Sequence, residues 1–292
     1  MRVCIVGGAD TWHNRALTAA FARREVTAHV VPASSFRARV GELPAVVARD
    51  VTIDDVALVL VRSIPVGSLE QIIFRLDVLH ILQTMGVPVV NPPRSIERAV
   101  DKYLASKLME LDGIPTPRTC ITESMDEATE QFRAWGDLVV KPLFGSQGIG
   151  MVRVSDPDVA HRTFRALEMG RYVYYLQEYI PHGTEDIRTF VVDGRVMATM
   201  KRCGSSWKTN VAQGARPVPV DPDDEITSLS LRACATLGTV YAGVDLLRAE
   251  DDHLYVVEVN SMPGWQGLQE TTAVDIAQML VDALLQKHAR LS

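Results

Sequence analysis

Strand-like and helical patterns alternate along the first third of the chain. Val3–Val6 is a short apolar run, and Val56–Val61 is a longer continuous one, the pattern of a buried parallel strand. Helical periodicity covers His13–Arg24 and Ser68–Thr84. Strands that alternate with helices predict a small parallel α/β domain over residues 1–92.

A second domain is predicted over residues 93–180. Ser95 can cap a helix that carries Lys102, because serine accepts a hydrogen bond from the first helical turn. Leu138–Lys141 and Met151–Val154 have the composition of strands and flank a glycine-rich turn.

A third domain, residues 181–292, is predicted to begin with a hairpin. Asp193-Gly194 lies between the strand-like segments Asp186–Val192 and Arg195–Lys201, and Asp-Gly supplies the positive φ angles of a two-residue turn. The further elements predicted here are a helix, a strand pair and a closing helix: Asp223–Leu237, Tyr241–Leu247, Leu254–Val259 and Val274–His288.

The acidic pattern near the end of the chain is the strongest candidate for chemistry. Glu258 and Asn260 are two residues apart on a strand and therefore share one face, while Val257 and Val259 should point into a core. Asp245 lies on a strand that could pair with this one. Two carboxylates and an amide oxygen on one sheet face suit Mg²⁺. A solvated polar strand face accounts for the spacing equally well.

A lysine followed by glycines is the second candidate feature. Lys141 ends a predicted strand, and Gly145–Gly150 follows it as a flexible turn. An ammonium and backbone N–H groups in this order can surround phosphates. Many glycine-rich hairpins bind no ligand, so this pattern by itself does not identify a phosphate site.

A hinge segment and a set of cations complete the candidate features. Gln177–Ile180 and Asp186 lie between two predicted domains, where a ligand cleft is expected. Arg188 and Arg202 lie on the two strands of the hairpin, and cations near a metal stabilise a transferring phosphoryl group. A core strand and a solvated hairpin face explain the same residues without any ligand.

Composition narrows the classes of protein. The chain has 292 residues, 47% of them hydrophobic, with a net charge of -6, which is ordinary for a globular protein and argues against nucleic acid as the main partner. The four cysteines are scattered, so neither zinc nor a disulfide framework is expected. No apolar run approaches the roughly 20 residues that a membrane span requires. With no leader pattern before the first strand, a cytoplasmic protein is expected.

Six segments, taken in order, resemble the ATP-grasp superfamily and in particular the RimK-like amino-acid ligases. They are VDKYLASKLMELDGIPTP, VVKPLFGSQGIGMV, LQEYI, EDIRTFVVDGRV, AGVDLL and VVEVNSMPGWQGLQETT. The resemblance implies an ATP-grasp fold of α+β lobes behind the small parallel α/β domain. It also implies a reaction in which ATP converts a carboxylate to an acyl phosphate and an amine then attacks to form an amide.

The resemblance also implies roles for individual residues. It implies a nucleotide site formed by Lys102, Lys141, Gly145, Ser146, Gln147, Gly148, Gln177, Glu178, Tyr179, Ile180 and Asp186. It implies a site for Mg²⁺, with Mn²⁺ as a substitute, formed by Asp245, Glu258 and Asn260. It implies catalytic roles for Arg188, Arg202 and Asn210.

The segment Trp207–Ala215 departs from the family members that modify ribosomal proteins. Those members tend to be richer in arginine and histidine and end the segment with Gly-Gly, whereas this chain has Ala215. The resemblance therefore favours L-glutamate as the amino acid and a small cofactor or peptide carboxylate as the acceptor. A homo-oligomer of two or four copies is expected. The alternatives are a carrier-protein or dipeptide ligase with another amino acid, and a non-catalytic ATP-binding module.

Overall fold

A computed structural model describes residues 1–145, 148–209 and 214–291. The strands in chain order are β1 (Arg2–Val6), β2 (Thr27–Val31), β3 (Phe36–Ala38), β4 (Val46–Ala48), β5 (Val51–Thr52), β6 (Leu58–Val61), β7 (Val89–Val90), β8 (Thr119–Thr122), β9 (Leu138–Lys141), β10 (Val152–Val154), β11 (Tyr174–Glu178), β12 (Glu185–Val192), β13 (Arg195–Cys203), β14 (Arg216–Pro219), β15 (Tyr241–Arg248) and β16 (Leu254–Asn260). The helices are α1 (Trp12–Ala22), α2 (Leu69–Thr84), α3 (Pro93–Val100), α4 (Lys102–Leu111), α5 (Met125–Trp135), α6 (Pro157–Met169), α7 (Asp224–Leu237), α8 (Gln266–Gln269) and α9 (Ile276–Leu291).

The N-terminal sheet is parallel, as the alternating pattern predicts. Its strand order is β2-β1-β6-β7, and helices cover both faces, as expected for a parallel sheet. Leu17 of α1 and Leu280 of α9 pack on one face, and Leu79 of α2 packs on the other. The C-terminal helix therefore contributes to the core of the N-terminal sheet. A small antiparallel sheet, β3-β4-β5, was not predicted.

The prediction of one helix that is capped by Ser95 and carries Lys102 is wrong. The helix begins elsewhere, and it is not continuous. Two helices occupy this stretch, and they meet at Asp101, whose side chain caps α4 by accepting a hydrogen bond from the Leu104 N–H at 3.0 Å. Ser95 lies inside α3, and its hydroxyl donates to the Gly238 carbonyl at 2.6 Å. The break makes Lys102 the first residue of its own helix.

The five-stranded antiparallel sheet, β14-β13-β12-β15-β16, carries the acidic residues. Because side chains alternate along a strand, Val244 and Leu246 face a core closed by α4 and α7, and Asp245 faces the other way. On that second face, Phe190 and Tyr241 pack against the N-terminal sheet. The end of this face, which carries Asp245, forms one wall of a cleft.

A β-bulge in β16 corrects the prediction for Val257. Asp245 pairs with Glu258, but the next residue, Leu246, pairs with Val256, so Val257 has no partner across the ladder. The extra residue lets Val256 and Val259 both enter the core, while Val257 lines the cleft beside Glu258. Val257 therefore does not point into the core, because a bulge allows two consecutive residues to lie on the same side.

The four-stranded sheet β10-β9-β11-β8 forms the opposite wall of that cleft. Its outer face is closed by α5 and α6, with Phe132 and Phe164 packed around Leu176. The Asp193-Gly194 turn is confirmed, with φ angles of 44° and 72°, the values of a type I′ turn. Within the described part of the chain, no helix is long and apolar enough to span a membrane.

Candidate active site

One cleft lies between the four-stranded and five-stranded sheets and collects most of the predicted residues. Lys141 at the end of β9 and Gln177 on β11 lie on one wall, and Asp186, Arg202 and Glu258 lie on the other. The hinge residues Glu178, Tyr179 and Ile180, together with Gly148 and Asp245, complete the predicted residues that line this cleft. The sequence had placed these residues on separate elements, and the packing of the two sheets brings them together.

The two carboxylates of the predicted metal set are direct cross-strand partners. Asp245 pairs with Glu258, and Asn260 pairs with Gly243 two positions further along the same ladder. Burial raises the pKa of Glu258, and the neighbouring Asp245 carboxylate raises it further. Lys102, Arg188 and Lys141 act in the opposite direction. Asp245 and three of the predicted cations are therefore close enough to Glu258 to influence its charge.

Two arginines hold Asp245. The Arg188 Nε donates to Asp245 Oδ1 and its Nη2 donates to Oδ2 at 3.0 Å, which makes a bidentate pair. The Arg202 Nη2 lies 3.0 Å from the same Oδ1. Burial disfavours the Arg202 charge, but the carboxylates of Asp245 and Asp186 outweigh it and raise its pKa. Arg202 is therefore a fixed cation.

The two predicted phosphate lysines are both restrained. Lys141 Nζ donates to the Gln177 Oε1 at 2.5 Å. Burial lowers the pKa of Lys141 to about 8, although the Glu258 carboxylate opposes the shift. Lys102 Nζ donates to the Leu143 and Gly145 carbonyl oxygens at 3.2 and 2.9 Å, so it reaches the glycine-rich turn after β9. Burial lowers its pKa as well.

The hinge is fastened by an ion pair. Arg118 donates from Nε and Nη2 to the two carboxylate oxygens of Glu178 at 2.7 and 2.5 Å, and these hydrogen bonds lower the pKa of Glu178. The next residue, Tyr179, packs its ring 3.5 Å under the Arg153 guanidinium carbon. The Glu178 carboxylate is thus engaged with protein, and its neighbour provides a flat, positively covered surface.

The predicted metal ligands fit a divalent cation. Glu258 and Asn260 make no side-chain hydrogen bond or ion pair with any described residue, and Glu258 faces the Asp245 carboxylate across the ladder. A buried carboxylate that accepts no hydrogen bond and lies beside a second carboxylate would be stabilised further by a bound cation, in addition to the nearby Lys102, Arg188 and Lys141. Two carboxylates and an amide oxygen form the hard-oxygen set that Mg²⁺ prefers.

Three predicted residues, Ser146, Gln147 and Asn210, lie outside the described residues. Arg188 and Lys102 are joined to the site through Asp245 and the turn after β9, respectively.

The apolar residues that line the cleft were not predicted, although the alternation of side chains along the strands indicated two of them. Val139 is two residues before Lys141, and Leu247 is two residues after Asp245, so period two predicts the same faces, and both line the cleft. Thr209 and Trp207 also line it. They lie after the last residue of β13, where no periodicity indicates the direction of a side chain.

Sequence comparison places the chain among known ligases. Residues 99–284 match the model of the RimK-like ATP-grasp domain. The tetrahydromethanopterin:alpha-L-glutamate ligase of Methanocaldococcus jannaschii is 43% identical over 220 residues, covering 73% of this chain and 75% of that protein. A probable alpha-L-glutamate ligase of Pseudomonas putida is 36% identical over 214 residues, covering 71% and 70%.

Structure comparison agrees on the fold. The ATP-grasp ligase PsnB, solved with a minimal precursor, Mg and ADP, superposes with a TM-score of 0.77 at 21% identity, over 99% of this chain and 98% of that one. A RimK domain ATP-grasp protein from Sphaerobacter thermophilus gives a TM-score of 0.77 at 22% identity, over 97% and 98%.

Proposed function

The chain belongs to the RimK-like ATP-grasp family of ligases, and on this premise we propose that it adds L-glutamate to the carboxylate of a small cofactor or peptide. The observation that carries the proposal is the pairing of Asp245 with Glu258 in a cleft that also holds Lys141 and Arg202. Paired acids suit a metal, and the cations suit the phosphates of ATP.

The first half of the reaction is phosphoryl transfer to the acceptor carboxylate. Lys141 and Lys102 hold ATP phosphates, and Arg202 offsets the charge that accumulates on the transferring group. Asp245, Glu258 and Asn260 would hold Mg²⁺, which would supply positive charge to offset that of the phosphates. Mn²⁺ has the same preference for oxygen ligands and should support the reaction.

The second half is attack by the amine on the acyl phosphate. The carboxylate becomes a good electrophile because phosphate is a better leaving group than oxide. The amine nitrogen forms the new C–N bond, the C–O bond to phosphate breaks, and the amine loses a proton. Arg188, which contacts Asp245 as Arg202 does, can stabilise the departing phosphate. Asn210 is proposed to act on the acceptor side.

Glutamate is favoured by the relatives. The M. jannaschii protein is named for glutamate addition to tetrahydromethanopterin, and this chain aligns with three quarters of it. We therefore infer that the acceptor is a reduced pterin, a folate-like compound, a deazaflavin or a peptide with a free carboxylate. A homo-oligomer of two or four copies in the cytoplasm remains part of the proposal.

Phosphate release provides the test. Purified protein is incubated with ATP, Mg²⁺ and L-glutamate against a panel of these acceptors, and products are identified by mass spectrometry. A product that gains one or more glutamyl residues, with one phosphate released per bond, is the expected result. Parallel reactions with lysine, arginine and alanine separate glutamate ligation from the carrier-protein and dipeptide alternatives. Phosphate release that no amino acid and acceptor pair stimulates would overturn the proposal.

A further inference from the structure

A network of polar side chains lies beside Lys141 on the cleft face of the four-stranded sheet. Tyr175 pairs with Lys141 across the ladder between β11 and β9, and Gln177 pairs with Thr119 across the ladder between β11 and β8. Tyr175 and Gln177 are two residues apart on β11 and therefore share one face. They are 1% and 3% exposed, respectively. Burial of polar groups to this extent is unfavourable unless each of them is hydrogen-bonded.

The Thr119 hydroxyl fixes the orientation of the Gln177 amide. Thr119 Oγ1 donates to the Pro117 carbonyl oxygen at 2.9 Å. A hydroxyl has one hydrogen to donate, so the same oxygen can only accept from the Gln177 Nε2, which lies 3.0 Å away. The amide nitrogen therefore faces Thr119, and the amide oxygen faces Lys141, whose Nζ donates to it at 2.5 Å. A rotated amide would direct its N–H groups at the ammonium.

A second contact of the amide extends the network to α4. The Gln177 Nε2 also lies 3.4 Å from the Tyr175 hydroxyl, which in turn lies 3.2 Å from the Ser106 hydroxyl. Ser106 is buried within α4, the helix that begins at Lys102. Both lysines of the predicted phosphate site are therefore fastened to one helix. Lys102 belongs to that helix, and Lys141 is connected to it through three buried side chains.

The partner of Lys141 is neutral, which matters for phosphate binding. Among the described residues, the Lys141 Nζ donates to Gln177 alone. An ammonium has three N–H donors, so two of them are left for a ligand in the cleft that both residues line. An amide oxygen holds the lysine in place without cancelling its charge, whereas a carboxylate here would form an ion pair with it and compete with phosphate.

We propose that Gln177 is a positioning residue that holds Lys141 in the geometry in which it binds ATP phosphates. The hydroxyls of Thr119 and Tyr175 act one step further away, by fixing the Gln177 amide. This inference rests on the proposed function for the role of Lys141. Tyr175 is not among the described residues that line the cleft, so a change in its hydroxyl reaches the nucleotide only through its neighbours.

Two ligands that differ in their phosphates test the inference. Competition calorimetry gives the Kd of a non-hydrolysable ATP analogue and of adenosine for wild type and for Tyr175→Phe, which removes the hydroxyl and keeps the ring. The Kd of the ATP analogue should rise by about fivefold, the effect of one lost hydrogen bond. The Kd of adenosine should stay that of wild type, because adenosine has no phosphate for Lys141 to bind. Equal weakening of both ligands, or no change in either, would overturn the inference.

Tyr174→Phe is the matched control. Tyr174 lies on the opposite face of β11, in the core under α5 and α6, and its hydroxyl donates to the Phe164 carbonyl oxygen at 3.3 Å. The substitution therefore removes one buried hydrogen bond at the neighbouring position without touching Gln177. Its Kd for the ATP analogue should match that of wild type. A loss as large as that of Tyr175→Phe would show that the packing of the sheet, and not the contact to Lys141, determines the affinity.

A variant without the lysine provides the second measurement. Lys141→Ala should weaken binding of the ATP analogue by itself. In that background Tyr175→Phe should add less than about twofold, because residues that act through one contact are not additive. Losses that add fully would show that Tyr175 does not act through Lys141, and would overturn the inference.

Thr119 variants cover the case in which Tyr175→Phe does not fold. Thr119→Val keeps the shape of a partly exposed side chain and removes the acceptor of the Gln177 amide, so the Kd of the ATP analogue should rise selectively, and Thr119→Ser should restore it. If Lys141→Ala binds the analogue like wild type, the assignment of Lys141 to the phosphates fails, and the inference fails with it. If only the Tyr175 and Thr119 variants bind like wild type, the inference alone fails. A protein that forms no product with any acceptor would overturn the proposed glutamate ligation, while these binding measurements, which use no acceptor, would still decide the role of Gln177.

Discussion

The Arg188 guanidinium lies directly against the backbone of Gly243. A methyl group placed on Gly243 would be 2.4 Å from the Arg188 Nη1 and 3.0 Å from the Pro263 Cβ. Arg188 and Asp245 occupy neighbouring strands as direct partners, and the bidentate pair between them requires the guanidinium to cross the face of β15 at this point. Glycine is needed here because a side chain would collide with Arg188. The backbone at this position is an ordinary extended strand, so its conformation does not require glycine.

Gly243→Ala should therefore displace Arg188 and lower turnover. We expect kcat to fall by about 10- to 100-fold, because a small misplacement of a charged group near the reaction is costly. The melting temperature should fall as well, because displacing Arg188 breaks its buried pair with Asp245 and the added methyl crowds the Pro263 Cβ. Phosphate release and thermal unfolding measure the two effects.

Gly8→Ala is the matched control. The added methyl would lie 3.4 Å from the Thr11 Cγ2, an ordinary contact, and Gly8 belongs to the first loop of the N-terminal sheet. Its turnover should match wild type. Equal activity of the two alanine variants would show that the position of Arg188 does not matter for the reaction.

Period-two alternation predicted much of the candidate site because most of its residues lie on strands. Simple alternation assigns the correct strand face to each of Asp245, Glu258, Arg188 and Lys141. The motif order predicted the RimK-like family and an ATP-grasp ligase, and both predictions are confirmed. The roles of individual residues, and the division of the chain at residues 92 and 180, stay predictions.

The sequence did not predict the two β-bulges in this sheet. From the Asp193-Gly194 turn, uninterrupted pairing would place Asp186 opposite Lys201. A shift in register between Phe190 and Val191 instead pairs Asp186 with Arg202. Without that extra residue, Arg202 would point to the opposite face of β13. A bulge depends on how neighbouring sheets and helices pack, and neither hydrophobic period nor turn chemistry predicts it.

Nucleotide affinity should depend on pH through Lys141. Burial lowers its pKa to about 8, so the unliganded lysine is mostly charged at pH 7 and mostly neutral at pH 9. Only the charged form attracts phosphate. The Kd of an ATP analogue should therefore rise by about tenfold between pH 7 and pH 9, as linkage requires when the bound state retains the proton. Calorimetry in buffers of matched ionic strength measures it.

Lys141→Arg separates this effect from other titrations. A guanidinium stays charged throughout this range, so the pH dependence should disappear even if the larger side chain weakens binding. Lys141→Ala should weaken binding at pH 7 and abolish the same pH dependence. A wild-type Kd that is flat from pH 7 to pH 9 would contradict the assignment of Lys141 to the phosphates.

Removing the charge of Glu258 should impair metal binding. Glu258→Gln keeps the size of the side chain and removes one of two carboxylates, so the Mg²⁺ concentration for half-maximal activity should rise by roughly two orders of magnitude. Glu250→Gln is the matched control, since Glu250 is an exposed residue in the loop before β16. If both variants respond to Mg²⁺ like wild type, Glu258 is not a ligand.

The side-chain amide of Asn91 is a buried link between the N-terminal sheet and the acidic strands. Asn91 is fully buried, and its Nδ2 donates to the Tyr241 and Ser261 carbonyl oxygens at 2.8 and 2.5 Å. Its Oδ1 accepts from the Val240 and Tyr241 N–H groups at 2.7 and 3.1 Å. Asn91 thus ties the residue after β7 to the start of β15 and to the residue after Asn260.

Asn91→Ala should be among the most destabilising single substitutions in the chain. It leaves buried N–H and C=O groups without partners, and we expect a loss of about 3–5 kcal/mol in the free energy of unfolding. Ser95→Ala, which removes the single bond to the Gly238 carbonyl, should cost about 1 kcal/mol. Urea unfolding of both variants measures the difference. Equal losses would mean that the Asn91 hydrogen bonds are readily replaced by water, and that the junction between the sheets is open to solvent.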